Sequence, residues 1–578
     1  MIRRFLRWIV RTLVLFVLIA LIIGVSRYIA HRYRPGSVLV LTLDGPMSER
    51  ESPSPFGTIA TEGNSLSQIR TALTAAQDDP RIVGLAIKIY DPTMELAQAQ
   101  ELAGMIATFR AHGKWTTAYL ETAGESDFGN LPYLVASAAD EVSMMPQGEM
   151  NLLGVSLREV FARGFFDWIK VKPVFDAIGK YKTAANVFTE KDFTPAQRED
   201  DESLAGSMFD QLVNQTADNR HLESADMHSI IDRAPLTAAD GLKARLVDRL
   251  EYEDQFTDRV RHYRGEHHEL IPADSYVGPG EFSLASRAKI AVIYGVGAIQ
   301  RGSGGYDPVL SPGGESMGSD DMVEAFKEAR TDDSIRAVVF RINSPGGSVI
   351  ASELIRRAVE LCAHRKPVIV SMSSYAASGG FWIATPAQRT FADPGTITGS
   401  IGVLGGKFDI SGGATALGIN TGAISHGQNA DMFDEFTDFT PEQAELFHDR
   451  ILGDTYNYFL KLVAKQRHMT VEEVDGLAQG HVYTGVQAAQ LKLIDHLGGF
   501  DAALAEAKLM AKLNPQEPVQ LVELPTELGP IGRLLQGKLY GERWSEPRVL
   551  RPLIGAMREA LARHAAFGEA YCAVAPRM

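Results

Sequence analysis

One serine in the sequence stands where a chain could expose a nucleophile. Ser378 lies in the run YAASGGFW (residues 375–382), which predicts a strand end, a turn of small residues and a helix start. Such a turn exposes the hydroxyl, and the following N–H can point at a developing oxyanion. Runs of this kind are more often ordinary turns. However, the run NSPGGS (residues 343–348) lies some 30 residues upstream and offers backbone N–H groups to a ligand, which favours a catalytic serine.

A serine hydroxyl also needs a base that takes its proton. His426 and His481 are the nearest histidines to consider, and each is as easily a loop or surface residue. The alternative is a lysine, as in the Ser-Lys variant of the catalytic triad. Lys182 lies in the run IGKYKTAA (residues 178–185), among alanines and aromatic residues that could bury it. A lysine base must be neutral, so burial would have to lower its pKa from about 10.4 by several units.

The body of the chain contains an internal repeat. Short runs recur at nearly constant spacing: SVLVLTLDGPM with KIAVIYGVGAI (shift 252), IVGLAIKI with IRAVVFRI (253), HGK with HRK (252), Pro146 and Gly154 with Pro394 and Gly402 (248), FTP with FTP (246), and LVD with LID (247). The shift changes by only a few residues over some 200 positions. Chance matching does not explain this, so the chain holds two copies of one ancestral unit.

The two copies differ at the candidate catalytic positions. Where the second copy has NSPGGS, the first has YDPTM (residues 90–94), and where the second has SGGF, the first has NLPY (residues 130–133). Conversely, Lys182 of the first copy aligns with Gln428 of the second at a shift of 246. The serine is therefore kept only in the second copy and the lysine only in the first. We predict one active site, formed at the interface between the copies.

Each copy alternates apolar, β-branched strands with helical patterns. In the second copy, a strand over 337–342 is followed by a helix over 351–364 and a strand over 367–372. This order predicts an α/β fold with mostly parallel, buried sheets. We predict four parts: a stub and membrane segment (1–34), the first repeat unit with the lysine (35–280), the second with the serine (285–515), and a C-terminal tail (516–578).

The N-terminal segment is predicted to enter a membrane. The run TLVLFVLIALIIGVS (residues 12–26) carries no charge and has arginines on both sides. We favour an uncleaved transmembrane anchor with a cytoplasmic N-terminus, and the alternative is a cleaved signal peptide. Either one delivers the rest of the chain across the membrane.

Composition excludes several classes of function. The net charge is −15, and the chain beyond its seven N-terminal arginines is more acidic still, which argues against a nucleic-acid partner. Only two cysteines occur, so there is no disulfide framework or cysteine-based metal site. No phosphate-binding loop and no His-Glu-x-x-His run is present. We predict that the enzyme needs no metal and no cofactor.

Four runs in this order resemble the signal peptide peptidase A (protease IV) family in its long bacterial form: GKYKTA, NSPGGS, AASGG and TGSIG (residues 398–402). The resemblance extends to about residue 515. It implies two tandem units with the fold of the Clp protease proteolytic subunit and crotonase, preceded by one transmembrane helix. It also implies a Ser-Lys dyad of Ser378 and Lys182, with oxyanion-hole N–H groups from Gly379 and Gly347. Ser400 would hold the lysine amine.

The resemblance further implies a homo-oligomer, a tetramer, on the periplasmic face of the bacterial inner membrane. Its substrates would be cleaved signal peptides and other apolar peptides. Two alternatives stay open from the residues alone. One is a crotonase-like acyl-CoA enzyme, in which the glycine-rich turn would hold a thioester oxyanion, and the other is a non-catalytic membrane scaffold.

Overall fold

The computed structural model describes residues 33–50, 64–125, 127–278, 288–306, 315–515 and 517–525. The predicted transmembrane segment lies outside these residues. Within them, no helix is both long and apolar enough to cross a membrane. The chain divides into two compact units. The first comprises the described parts of 1–52, 60–154 and 212–286, and the second those of 155–211 and 287–578.

The first unit is built on a parallel sheet of seven strands. Its central strands are apolar and almost continuously buried, as parallel strands covered on both faces must be. In spatial order, the strands are Leu270–Pro272, Ser37–Ser48, Ile82–Thr93, Trp115–Leu120, Glu141–Met144 and Arg249–Leu250, with Asn64–Ser65 paired to the second of these. All pairs in this sheet are parallel. The helices of this unit are Leu66–Gln77, Leu96–Ala111, Asn130–Ser137, Ser224–Ile231, Ala238–Lys243 and Glu253–Arg261.

The second unit contains an eight-stranded sheet that is parallel except at one edge. In spatial order, the path runs Val482–Thr484, Ile397–Gly399, Val368–Ala377, Ile335–Ser344, Lys289–Val296 and Gln520–Leu524, with Arg389–Ala392 and then His496–Leu497 branching from Val368–Ala377. The one antiparallel pair joins Val482–Thr484 to Ile397–Gly399. Side chains from the central strands enter one core on each face, with Phe340 in the first core and Val339 in the second, where helix residue Phe500 packs against the sheet.

Helices and smaller strands cover this sheet. The helices are Ser319–Thr331, Val349–Ala363, Gly379–Ala384, Ser411–Ala416, Pro441–Leu446, Asp454–Arg467, Val471–Leu477, Gly485–Gln490 and Phe500–Met510, with the short helices Arg163–Trp168 and Asn186–Thr189 and a π-helix at Phe447–Gly453. A separate antiparallel ribbon pairs Lys172–Ile178 with Val403–Asp409. The long helix Pro195–Arg220 contributes residues to both compact units.

The internal repeat is confirmed by the order of the strands. The six strands on the first unit's path correspond, one for one, to Gln520–Leu524, Lys289–Val296, Ile335–Ser344, Val368–Ala377, Arg389–Ala392 and His496–Leu497. A matched lysine also has the same role in both units. Lys114 Nζ donates to the carbonyls of Ala76 and Asp79, and Lys366 Nζ donates to those of Ala329 and Asp332. Each lysine therefore caps the C-terminus of the helix that precedes its unit's second long strand.

The compact units differ from the sequence repeats at two places. Residues 155–211, which belong to the first repeat by sequence and include Lys182, fold with the second unit. The strand Gln520–Leu524 lies beyond the predicted boundary at residue 515, yet it pairs with Lys289–Val296. Most of its residues are exposed, and Leu524 at its end is buried. Physical contacts thus divide the chain differently from its ancestry.

Candidate active site

An antiparallel ribbon brings two candidate residues to the same end of the second unit. Its register pairs Val403 with Ile178 and Asp409 with Lys172. Lys182 follows the first strand by four residues, and Ser400 precedes the second strand by three. Because antiparallel strands place the end of one beside the start of the other, these two residues lie together. The ribbon joins a strand from the first repeat to a strand from the second.

Ser378 occupies a strained turn between a strand and a helix. Strand Val368–Ala377 ends just before it, and helix Gly379–Ala384 begins just after it. Its backbone angles are φ 54° and ψ −116°, a conformation that non-glycine residues rarely adopt. The Ser378 N–H donates to the Gly399 carbonyl at 2.9 Å, which ties the turn to the neighbouring strand. The predicted strand, turn and helix are therefore present, and the turn carries the strain expected of a nucleophile elbow.

The Lys182 amine contacts Ser378 directly. Its Nζ lies 3.0 Å from Ser378 Oγ, 2.9 Å from Ser400 Oγ and 3.0 Å from the Ser400 carbonyl oxygen. All three residues belong to one chain and to the second compact unit. The lysine comes from the first sequence copy and the serine from the second. The lysine segment of the first copy folds with the compact unit that carries the serine.

Burial changes the protonation of Lys182. The residue is 8% exposed, and burial lowers the pKa of its amine to about 7. Desolvation is the cause, since it disfavours the charged ammonium form. A neutral amine has two N–H donors and one lone pair. The two Ser400 oxygens can accept from the donors, which leaves the lone pair for the Ser378 hydroxyl proton.

Two backbone N–H groups are held near Ser378 by close packing of glycines. A Cβ built on Gly379 would lie 3.1 Å from the Gly347 nitrogen, and one on Gly346 would lie 2.7 Å from the Gly379 nitrogen. The carbonyl of Gly346 and the N–H of Ser348 both bond to Ile299, which leaves the Gly347 N–H pointing away from that strand. In the described part of the chain, neither the Gly347 nor the Gly379 N–H donates to a protein acceptor. Both are available to a ligand oxygen.

Sequence reasoning missed the loop that holds Lys182 in place. The Gln479 carbonyl accepts from the Tyr181 N–H at 2.7 Å. A Cβ on Gly480 would lie 2.4 Å from the Lys182 nitrogen, so only glycine fits there. The His481 carbonyl accepts from the Ser400 N–H at 2.6 Å. Gly480 has a positive φ in the structure. Nothing in the sequence around Gly480 indicates that it contacts a lysine some 300 positions away.

The two histidines that were considered as bases have other surroundings. His426 is exposed in a loop. The His481 ring stacks on Tyr181, with ring centroids 3.4 Å apart, and its Nδ1 lies 2.7 Å from Asp200 Oδ1. Asp200 also accepts from the Val482 N–H and is buried. The hydrogen bond to Ser378 Oγ comes instead from Lys182.

In the first unit, the position that matches Ser378 is occupied by an asparagine. Asn130, which aligns with Ser378, donates from Nδ2 to the Gly154 carbonyl at 2.7 Å and accepts from the Gly154 N–H at 3.3 Å. Tyr90, which stands at the start of the run aligned with NSPGGS, is part of strand Ile82–Thr93. The first unit therefore has a hydrogen-bonded asparagine amide at the position where the second unit has Ser378.

The second unit thus holds a hydroxyl beside a buried amine whose pKa is lowered to about 7, with two free N–H groups nearby. This set is suited to acyl transfer. The sequence pattern of Peptidase family S49 matches residues 109–265 and 360–514, one range in each repeat. The chain is 33% identical to "Protease 4" of Salmonella typhi over 470 residues, which cover 78% of this chain and 72% of that protein. It is 30% identical to "Serine protease SPPA, chloroplastic" of Arabidopsis thaliana over 514 residues, which cover 88% of this chain and 74% of that protein. It is 29% identical to "Putative signal peptide peptidase SppA" of Enterococcus faecium over 200 residues, which cover 34% of this chain and 58% of that protein.

Proposed function

The chain belongs to peptidase family S49 and is a serine peptidase, and we propose that Ser378 is its nucleophile and Lys182 its general base. The observation that carries the proposal is the 3.0 Å contact between Lys182 Nζ and Ser378 Oγ. The contact matters because burial lowers the pKa of that amine to about 7. At neutral pH a large fraction of the lysine is then free to accept a proton.

The first half of the reaction forms an acyl-enzyme. Ser378 Oγ attacks the carbonyl carbon of the scissile peptide bond while Lys182 takes the hydroxyl proton. The tetrahedral intermediate carries an oxyanion, which the N–H groups of Gly379 and Gly347 stabilise. As the intermediate collapses, the C–N bond breaks and Lys182 returns its proton to the leaving amine.

The second half releases the product. Lys182, neutral again, takes a proton from a water molecule that attacks the ester carbonyl. The same two N–H groups stabilise the second oxyanion. The C–O bond to Ser378 then breaks, the proton returns to Ser378 Oγ, and the carboxylic acid product leaves. Ser400 positions the amine throughout, because both its hydroxyl and its carbonyl contact Lys182 Nζ.

The test is separate replacement of the two residues. In Ser378→Ala, hydrolysis of a fluorogenic peptide and labelling by a fluorophosphonate serine probe should both be lost. In Lys182→Ala, hydrolysis should fall by roughly 10⁴-fold or more, since loss of a catalytic base has effects of that size in other serine peptidases. Lys180→Ala is the matched control, because its amine is exposed and pairs with Glu199. Full activity in either dyad variant would overturn the assignment.

We further propose the setting in which the enzyme acts. The apolar run at residues 12–26 would anchor it in the bacterial inner membrane, with the body in the periplasm. Its substrates would be cleaved signal peptides and other apolar peptides, in keeping with the name of the Enterococcus faecium relative. The enzyme would act as a homo-oligomer, a tetramer. Mass spectrometry of the membrane fraction tests the anchor, since an intact N-terminus is expected and a mature one near Arg27 would refute it.

A further inference from the structure

The loop 479–481, which packs against Lys182, is itself held by a buried acid. Asp200 lies in helix Pro195–Arg220 and is 5% exposed. Its Oδ1 lies 2.7 Å from His481 Nδ1, and its Oδ2 accepts from the Val482 N–H at 3.2 Å. Because a carboxylate only accepts hydrogen bonds, Nδ1 is the donor, and the bond fixes the orientation of the imidazole. Asp200 therefore binds both the side chain of His481 and the backbone that follows it.

His481 links this acid to the two residues around the catalytic amine. Its ring stacks on Tyr181, with ring centroids 3.4 Å apart, and Tyr181 immediately precedes Lys182. Its carbonyl accepts from the Ser400 N–H at 2.6 Å. Ser400 has a φ of 51°, which a non-glycine residue keeps only where its surroundings enforce it. The ring of His481 therefore acts on the lysine segment, and its backbone acts on Ser400.

The acid and the histidine are divided between the repeats in the same way as the two residues of the dyad. At the shift of 246 that aligns the two FTP runs, Asp200 of the first copy corresponds to Leu446 of the second. At the shift of 247 that aligns LVD with LID, His481 of the second copy corresponds to Ala234 of the first. A pair needed for the fold that both copies share would be expected in both copies. This pair is present once, as the active site is.

We propose that Asp200 is a positioning residue for the dyad: through His481 it holds the Lys182 amine in the reacting position. The inference rests on the dyad proposed above. A fixed loop keeps the amine beside Ser378 Oγ and the two Ser400 oxygens. It also keeps water from the amine, the condition on which the neutral form of the base depends.

Asp200→Ala in the full-length chain tests the inference by rate and by pH profile. Without its anchor the loop should loosen, so kcat for a fluorogenic peptide should fall by about 10- to 100-fold, with KM changed by less than about twofold. Water that reaches the amine should also raise the midpoint of probe labelling of Ser378 from about pH 7, by about one pH unit, towards the ordinary range of lysine. Loss of stability alone would not move this midpoint, so the midpoint decides between positioning and mere support of the fold.

Ser207→Ala is the matched control. Ser207 lies on the same helix as Asp200, and its Oγ is 2.8 Å from Thr484 Oγ1, in the strand that follows the loop. The variant removes a hydrogen bond between the same two elements but leaves the anchor of the loop intact. Its kcat and its labelling midpoint should therefore match those of the unmodified enzyme.

Asp200→Asn is the second variant, and it decides the question where Asp200→Ala does not fold. It keeps the shape of the side chain and one acceptor oxygen, so we expect smaller changes in the same direction. Circular dichroism checks the fold of each variant. A folded variant with unchanged kcat, or with a lower kcat and an unmoved midpoint, would overturn the inference.

The result is distinguishable from a failure of the dyad itself. If Lys182→Ala is inactive while both Asp200 variants behave as the unmodified enzyme does, only the positioning role is refuted. If Lys182→Ala keeps full activity, the dyad is refuted, and the role of Asp200 is refuted with it.

Discussion

At the scale of the residue, the proposed mechanism makes the reaction of Ser378 depend on the protonation of Lys182. No carboxylate in the described part of the chain contributes to its pKa, and burial alone holds the value near 7. The Ser400 hydroxyl and carbonyl satisfy two of the amine's hydrogen bonds without adding charge. The site thus tunes the base by removing water rather than by placing another ion beside it.

The rate of Ser378 acylation should follow the titration of Lys182. The pKa is lowered from that of an ordinary lysine, so the neutral base predominates above about pH 7 and is lost as the pH falls through that value. Labelling by a fluorophosphonate probe should therefore rise about tenfold per pH unit below 7 and level off above it. The measurement is the labelling rate between pH 5 and 9, with circular dichroism to check folding.

An acid whose pKa lies in the same range provides the control for this experiment. Burial, reinforced by Asp201, raises the pKa of Glu159 to about 7, the same range as Lys182. Glu159→Gln should keep the pH dependence of labelling, because the hydrogen bonds of the Lys182 amine in the described structure go to Ser378 and Ser400 and not to Glu159. A profile that is flat in the unmodified enzyme, or that is abolished by Glu159→Gln, would contradict the assignment of the base.

At the scale of the element, the position of Lys182 depends on two backbone segments, one just before it in the chain and one distant in sequence. Strand Lys172–Ile178 leads to Lys182, and the loop 479–481 packs against the backbone around it. Gly480 makes this possible, since its φ is 82° and it lies against the Lys182 backbone. The loop itself leads into strand Val482–Thr484, the antiparallel edge of the large sheet.

Gly480→Ala should displace Lys182 and lower kcat. The added Cβ would lie 2.4 Å from the Lys182 nitrogen and 2.6 Å from its Cα, and the positive φ adds strain of about 1–3 kcal/mol. A displacement of about 1 Å can cost about 10²-fold in rate. The measurement is peptide hydrolysis together with the thermal unfolding midpoint.

Gly476→Ala is the matched control for that variant. Gly476 lies in the adjacent helix Val471–Leu477, and a Cβ there would meet nothing within 4 Å. It should leave kcat unchanged, and its stability should be equal or slightly higher. If Gly480→Ala kept full activity while remaining folded, the loop could not be what positions the lysine.

The elements of the site were only partly predictable from the sequence. The strand and turn around Ser378 follow from their apolar run and small residues, and the structure places a strand at Val368–Ala377 and a helix at Gly379–Ala384. Comparing the repeats identified both Ser378 and Lys182, because each is missing from the other copy. The contact of Gly480 with Lys182 was not predictable, since it depends on how distant loops meet in three dimensions and no local pattern encodes that.

At the scale of the whole molecule, ancestry and compactness divide the chain differently. The sequence shows two copies, and both fold around sheets with the same strand order. Yet residues 155–211 of the first copy fold with the second unit, and they bring the lysine with them. A repeat alignment identifies homologous segments but cannot say which body each segment joins. That depends on which apolar surfaces are nearest after the chain has turned.

This arrangement predicts the result of mixing two inactive variants. Ser378→Ala keeps an intact lysine, and Lys182→Ala keeps an intact serine. Because both residues of the dyad belong to the same chain and unit, no combination of these chains contains a complete site. Mixed assemblies should therefore hydrolyse peptide no faster than the single variants. Peptidase activity of co-expressed, differently tagged chains, purified through both tags in succession, measures this.

The control is co-expression of the unmodified chain with the Ser378→Ala, Lys182→Ala double variant, purified in the same way. Those assemblies should keep activity in proportion to their content of unmodified chains, since each such chain has its own complete site. Recovery of a sizeable fraction of that activity by the two single variants would mean that the lysine segment is exchanged between chains.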